Sequence, residues 1–208
     1  HSDLKIMTKT TTTTKKKTKS KSTLTVKSAP KELPKLPNQP LVFEVLDLLS
    51  KQRTKAKKIE VLRIYDEIHL RRVLIWNFNQ NIVSMLPEGE VPYEGFNEQN
   101  TYSGGLSAKI SEATRRLHTK GNFSLGSSDT DGHTTIRRES RHFYRFVQGG
   151  DNTINSLRRE TMFINILTGL HPLEAEILCL VKDKKLSDSY KITKEIVGEA
   201  YPNIQWGD

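Results

Sequence analysis

The chain has 208 residues, 35% of them hydrophobic, a formal net charge of +9 and a single cysteine. Cys179 alone permits no internal disulfide, and no stretch approaches the roughly 20 apolar residues that span a bilayer, so a disulfide-stapled scaffold and a helical membrane protein are excluded and the chain reads as soluble. The charge is segregated: residues 1–40 hold ten Lys, no Arg and only Asp3 and Glu32 as acids, a net of +8, which leaves +1 for residues 41–208.

Residues 1–40 predict a disordered basic tail. From Thr8 to Ser22 no apolar side chain offsets the entropy of ordering the backbone. Pro30, Pro34, Pro37 and Pro40 then hold the chain extended as a semi-rigid spacer. A polycation set apart from a packed body favours a polyanionic partner by electrostatics alone, which makes Lys9, Lys15, Lys16, Lys17, Lys19, Lys21 and Lys27 candidate phosphate contacts. The first residue is His1, so either an upstream segment has been removed or the true start is Met7. The segment is too hydrophilic for a signal peptide and too poor in Arg for a typical transit peptide.

Residues 41–208 suit one domain and carry helical punctuation. Leu41, Val42, Val45, Leu46 and Leu49 predict a first amphipathic helix ending near Lys51. Thr54 caps a second, with Ala56, Ile59, Leu62 and Tyr65 inward, and Asp66 caps a third over residues 67–78 around a buried Leu74-Ile75-Trp76. Residues 95–133 turn to Gly, Ser, Asn and Thr, a surface excursion broken by one helix over 107–118. Four further helices follow: 135–148, one opened by Asp151 and closed at Gly169, one from Pro172 with Leu173, Ile177, Leu178 and Val181 inward, and one over 192–200. Alternating β patterns are scarce, so the expected fold is all-α, a compact multi-helix domain with a disordered basic tail.

On the expected helix 135–148, Arg137, Arg141 and Arg145 recur at i, i+4 and i+8, with Arg138 beside them and Ile136, Phe143, Phe146 and Val147 turned to the core. Arginine's planar fork suits phosphate, so this face is a candidate docking ridge for a nucleic-acid backbone. The competing reading is a solvated face paired with carboxylates of neighbouring helices, favoured by the near-neutral body. Lys51, Arg53, Lys55, Lys57 and Lys58 form a second basic cluster, for which pairing is favoured more strongly.

Catalytic constellations are weak. His69, His118, His133, His142 and His171 are scattered, with no second Cys and no metal-ligand spacing, so neither a metal nor a cofactor is implied. Cys179 lies in the apolar run Ile177-Leu178-Cys179-Leu180 and reads as core. His171-Pro172 with Glu174 and Glu176 reads as a helix start with acids at its positive end rather than an acid–base cluster. Gly149-Gly150-Asp151 lacks the Lys-Ser/Thr of a phosphate loop and reads as a helix-to-helix turn. Trp76 reads as core, and Trp206 either staples the C-terminal end or stays exposed. Ile136-Arg137-Arg138-Glu139-Ser140 is echoed by Leu157-Arg158-Arg159-Glu160-Thr161, a match too short for a repeat array.

The stretches Leu74-Ile75-Trp76-Asn77-Phe78, residues 85–93 (MLPEGEVPY), residues 157–164 (LRRETMFI), residues 170–178 (LHPLEAEIL) and residues 181–186 (VKDKKL) resemble an uncharacterised small-protein family of marine cyanobacterial myoviruses. The resemblance covers residues 41–93 and 134–207. It implies no activity, only a setting: a phage protein made in the cytoplasm of its bacterial host, or carried in the virion.

Two function classes follow. In the first the protein is no enzyme but an accessory factor that binds DNA or RNA without sequence preference through the tail and the Arg face. In the second it is a structural or assembly component of the particle, its tail an arm along an acidic protein surface.

Overall fold

The computed structural model describes residues 32–92 and 134–207, which from Leu33 onward belong to one folded unit, Leu33–Asp208. Expectations for the lysines of residues 1–31 and for the excursion beyond residue 92 lie outside the described residues. Among the described residues the protein is all-α, with seven helices, no strand and one isolated antiparallel bridge between Ser84 and Val147. The helices are α1 Val42–Lys51, α2 Lys55–Ile64, α3 Ile68–Phe78, α4 Ile136–Glu139, α5 Ser156–Gly169, α6 Pro172–Lys182 and α7 Lys194–Ala200. A 3₁₀ segment, Ser140–Phe146, continues α4, and a 3₁₀ turn, Leu186–Asp188, follows α6.

Side chains that accept from the first orphan amides open most of these helices. Thr54 accepts from the Lys57 amide at 3.2 Å, Thr135 from that of Arg138 at 3.3 Å, Asn155 from that of Arg158 at 2.8 Å and Thr193 from that of Ile196 at 3.4 Å. Pro172 stands in the first turn of α6, where its missing N–H costs nothing, and His171 Nδ1 accepts from the Leu173 amide at 3.0 Å. α6 is the central element, packing against α1, α3 and α5, while α2 lies between α1 and α7. Leu46, Leu49, Leu62, Leu74, Ile177 and Leu178 are fully buried between them. At one end the core turns aromatic: the Trp76 ring lies 5.1 Å from Phe143, and Phe146 lies 5.3 Å from Phe163.

Several boundaries differ from the sequence expectation, each for a local reason. Asp66 does not cap α3; its carboxylate forms a two-armed pair with Arg71, at 2.6 and 2.5 Å, and Glu67 occupies the cap position without a capping bond from its side chain. Asp151 does not open α5. It accepts from the Thr153 amide and hydroxyl, a local turn that competes with helix, and α5 starts five residues later behind Asn155. The last helix starts at Lys194 rather than Ile192, and Ala56 is exposed while Val61 takes the inward place in α2. The expected single helix over 135–148 is instead one turn of α-helix and a 3₁₀ segment.

The spacer is docked rather than free along residues 33–40. Leu33 and Leu36 pack on the core, the Leu36 amide donates to the Tyr65 hydroxyl at 3.0 Å, and Pro40 is buried. A chain that starts at residue 33 should therefore melt with the full-length protein, whereas one that starts at residue 41 should lose about 2–3 kcal/mol from the two half-buried leucines and the lost bond. Urea unfolding of both truncations checks this; equal midpoints would contradict it.

Candidate nucleic-acid interface

In an α-helix, positions four apart share a face; in a 3₁₀ helix, with three residues per turn, positions three apart eclipse. From Arg138 onward exposure follows the second rule. Arg138, Arg141 and Tyr144 are exposed, Glu139, His142 and Arg145 are half-buried, and Ser140, Phe143 and Phe146 are buried. The expected stripe of Arg137, Arg141 and Arg145 is thus broken up. The outward ridge is Arg138, Arg141 and Tyr144, two guanidinium groups and a phenol, with Arg145 along its flank.

Arg137 is withdrawn from that ridge. Its guanidinium forms a two-armed pair with Glu67, Nη1 to Oε2 and Nη2 to Oε1, the latter at 3.0 Å, and burial holds its pKa below the usual arginine value. Arg137 thus has a carboxylate partner from a neighbouring segment, the arrangement that the paired reading of the stripe expects. Arg141 Nε donates to His142 Nε2 at 3.2 Å, and Arg145 Nε donates to the Tyr144 hydroxyl at 3.2 Å with its guanidinium carbon 5.6 Å from the ring centre. Asp151 lies within electrostatic reach of Arg145: its carboxyl is held below the ordinary value chiefly by its bonds to Thr153, with Arg145 and Arg159 adding to the effect.

The segment is fixed from three sides. Phe143 and Phe146 enter the aromatic cluster, whose Trp76 donates to Ser84 Oγ at 2.8 Å, and Arg72 donates to Ser140 Oγ at 3.1 Å. Backbone bonds from Met85 N to Phe146 O and from Gln148 N to Val83 O, each 2.8 Å, pin its end to the 83–85 segment. Arg159 of α5, only 3% exposed, reaches back to the carbonyls of Arg145 at 2.8 Å, Asp151 at 3.1 Å and Ile154 at 3.0 Å. The turn beyond is the expected double-glycine turn. Gly149 has a φ of 82°, and a Cβ on Gly150 would lie 1.7 Å from the Tyr144 carbonyl oxygen, so only glycine fits there.

The start of the segment hangs on Glu174. This carboxylate of α6 is 1% exposed and accepts from the Ile136 amide at 3.0 Å and the Val42 amide at 3.1 Å, so one side chain caps α4 and α1 while standing in the first turn of α6. Burial pushes its pKa up to about 7, the two amides and Arg137 hold it down, and Glu44 pushes it higher. Glu44 is itself buried and raised; its Oε1 accepts from the Leu41 amide at 3.2 Å and its Oε2 has no hydrogen-bond partner among the described residues. His171 stacks on Phe43 at 4.7 Å. Glu174 therefore stands at a helix start, as expected, but the amides it satisfies belong to other helices.

Other basic and aromatic residues make local contacts. Lys51 pairs with Asp47 at 2.8 Å, Lys55 with Glu195 and Glu199 at 2.5 Å each and Lys57 with Glu60 at 3.1 Å, while Lys58 donates to the Lys191 carbonyl at 2.7 Å. Burial pushes the Cys179 thiol up to about 12, which suits packing and not nucleophilic attack. Trp76 is in the core, and Trp206 is half-buried, its Nε1 donating to the Tyr201 carbonyl at 3.4 Å, so it staples the C-terminal end. Among the described residues no three His, Cys, Asp or Glu side chains are grouped to hold a metal ion, and no helix is long and apolar enough to cross a membrane.

A model of a family of unknown function, DUF6433, matches residues 45–130 and 122–188. The chain belongs to that family. No curated protein and no solved structure matches it. In this DUF6433 member the ridge, Arg159 and Glu174 all lie within the second matched stretch, whereas residues 1–40 lie outside both.

Proposed function

We propose that this DUF6433 protein is a non-catalytic accessory factor that binds nucleic acid without sequence preference, the tail lysines supplying most of the affinity and the Arg138–Arg141–Arg145 surface orienting the body on the strand. The observation that carries the reading is the charge segregation, +8 of +9 within residues 1–40. Lysines Lys9, Lys15, Lys16, Lys17, Lys19, Lys21 and Lys27 would neutralise phosphates and release counterions, a process that needs no carved pocket. The body supports this reading through guanidinium groups presented outward on a rigid segment, while Lys51, Lys55 and Lys57 of its other basic cluster pair with carboxylates. The setting we infer, from the resemblance of residues 41–93 and 134–207 to a cyanobacterial myovirus family, is a phage protein acting in the host cytoplasm.

Replacing Arg138, Arg141 and Arg145 together by Gln should weaken binding about equally for every sequence and make the slope of log affinity against log salt shallower by about two to three units. Arg137→Gln should leave the slope alone and lower stability by breaking the pair with Glu67. Affinity and slope unmoved by the triple change would remove the body from the interface. Enrichment of the protein in purified virions, without nucleic-acid affinity, would favour an assembly arm on an acidic surface instead.

A further inference from the structure

We propose that the body discriminates single-stranded from duplex nucleic acid by stacking a base on Tyr144, with Arg138 and Arg141 holding the adjoining phosphates. The inference rests on the nucleic-acid reading above and adds the form of the ligand and the residue that selects it. Tyr144 is 47% exposed, although an aromatic ring in this neighbourhood has a core to enter: Phe143 and Phe146 on either side of it both do. The 3₁₀ geometry aims it outward in line with Arg138 and Arg141, with a repeat of about 6 Å along the ridge, so two phosphate-binding groups lead to a stacking platform at one end. Arg145 holds the phenol by its hydroxyl at 3.2 Å, and the Gly150 backbone packs against the Tyr144 carbonyl, so the ring is fixed before any ligand arrives. A stacking platform so prepared loses little entropy on binding, and every base has a face to offer it.

A duplex cannot use this platform without unstacking a base pair. It can still meet the tail lysines and the guanidinium groups, so the phosphate contribution is common to both forms and the ring contribution belongs to the single strand. Ser140, Phe143 and Phe146 face the core from the same segment, so changing Tyr144 removes exposed surface and leaves the packing in place.

The test measures full-length protein against an oligothymidylate and a duplex of the same length, by fluorescence anisotropy over a salt series. Tyr144→Ala should weaken oligothymidylate binding about 5- to 150-fold and leave duplex binding and both salt slopes unchanged, while Tyr144→Phe, which keeps the ring and gives up only the hydroxyl that Arg145 holds, should lose less single-strand affinity than Tyr144→Ala. Circular dichroism should show the same helix content in all three proteins. Equal losses for both forms, or no loss for either, would overturn the stacking proposal while leaving the tail-driven reading standing. No binding of either nucleic acid by the unaltered protein, together with binding to poly-glutamate, would overturn both readings and point to an acidic protein partner.

Discussion

Glu174→Gln should turn a stability that changes little with pH between about 4 and 7 into one that rises with pH. In the unaltered protein the Glu174 carboxyl is pushed up to about 7 from an ordinary 4.5, chiefly by burial. The folded state therefore holds a proton that the unfolded state releases, and the associated stability is full below about 4.5 and lost as pH rises through about 7. A shift of that size corresponds to about 3 kcal/mol. Glu44, raised in the same direction, adds to it. His69 acts oppositely: burial, with Arg72 nearby, lowers its pKa to about 4 from 6.5, so its contribution is present above 6.5 and lost as pH falls through about 4. The charged and titratable groups around Glu174 are Glu44 on α1, Arg137 on α4 and Tyr190 beyond α6, with His171 at the start of its own helix. The two main contributions largely offset each other in the unaltered protein. Without the Glu174 carboxyl, the His69 contribution is exposed, and the variant should grow more stable as pH rises from 4 to 6.5. Above about 7, where the native group is a carboxylate with two accepting oxygens, glutamine also offers one acceptor where two amides wait, a further loss of about 1–3 kcal/mol. Urea unfolding across this range checks the result; a variant whose stability stays level or falls with rising pH would show that Glu174 is not the group responsible.

Arg159→Met should cost about 2–4 kcal/mol and loosen the ridge. Methionine keeps the apolar stem, so the change isolates the guanidinium and its bonds to the carbonyls of Arg145, Asp151 and Ile154. Bonds from a charged donor contribute about 1.5–3 kcal/mol each, offset in part by relief from burying the charge. Arg159→Lys should recover little, because a single ammonium cannot span three carbonyls that a planar fork reaches. Chemical denaturation supplies the stability, and hydrogen exchange of residues 145–154 reads the loosening. A loss below about 0.5 kcal/mol with unchanged exchange would contradict this role.

Where the signal is local, the sequence states the fold well. Thr54 ahead of α2, Pro172 at the head of α6 and Gly169 at the end of α5 mark boundaries found in the structure, because capping and the helix-breaking habits of Pro and Gly act within a turn. The ridge was harder to read. Phe143 and Phe146 suit both a 3.6-residue and a 3.0-residue repeat, and seven residues are too few to separate them, yet the choice decides whether Arg138 or Arg145 stands in line with Arg141. Glu174 satisfies amides 38 and 132 positions away, and Arg159 binds carbonyls that a loop brings to it; neither carries a signal in its neighbours. The five-residue echo misleads for the same reason. Asn155 caps onto Arg158 as Thr135 caps onto Arg138, so the two copies stand one residue out of register and their arginines meet different surroundings.

The most direct test of the central claim is the salt dependence of nucleic-acid affinity for the full chain beside the body that begins at residue 33. If about six tail lysines and the three ridge arginines contact phosphates, the full chain should show a slope of log affinity against log salt of about −7 to −8 on a duplex, and the truncated body, without the tail's share of about −5, a slope of about −2 to −3 with much weaker binding at low salt. A truncated body that keeps both the affinity and the slope of the full chain would place the interface elsewhere and contradict the account.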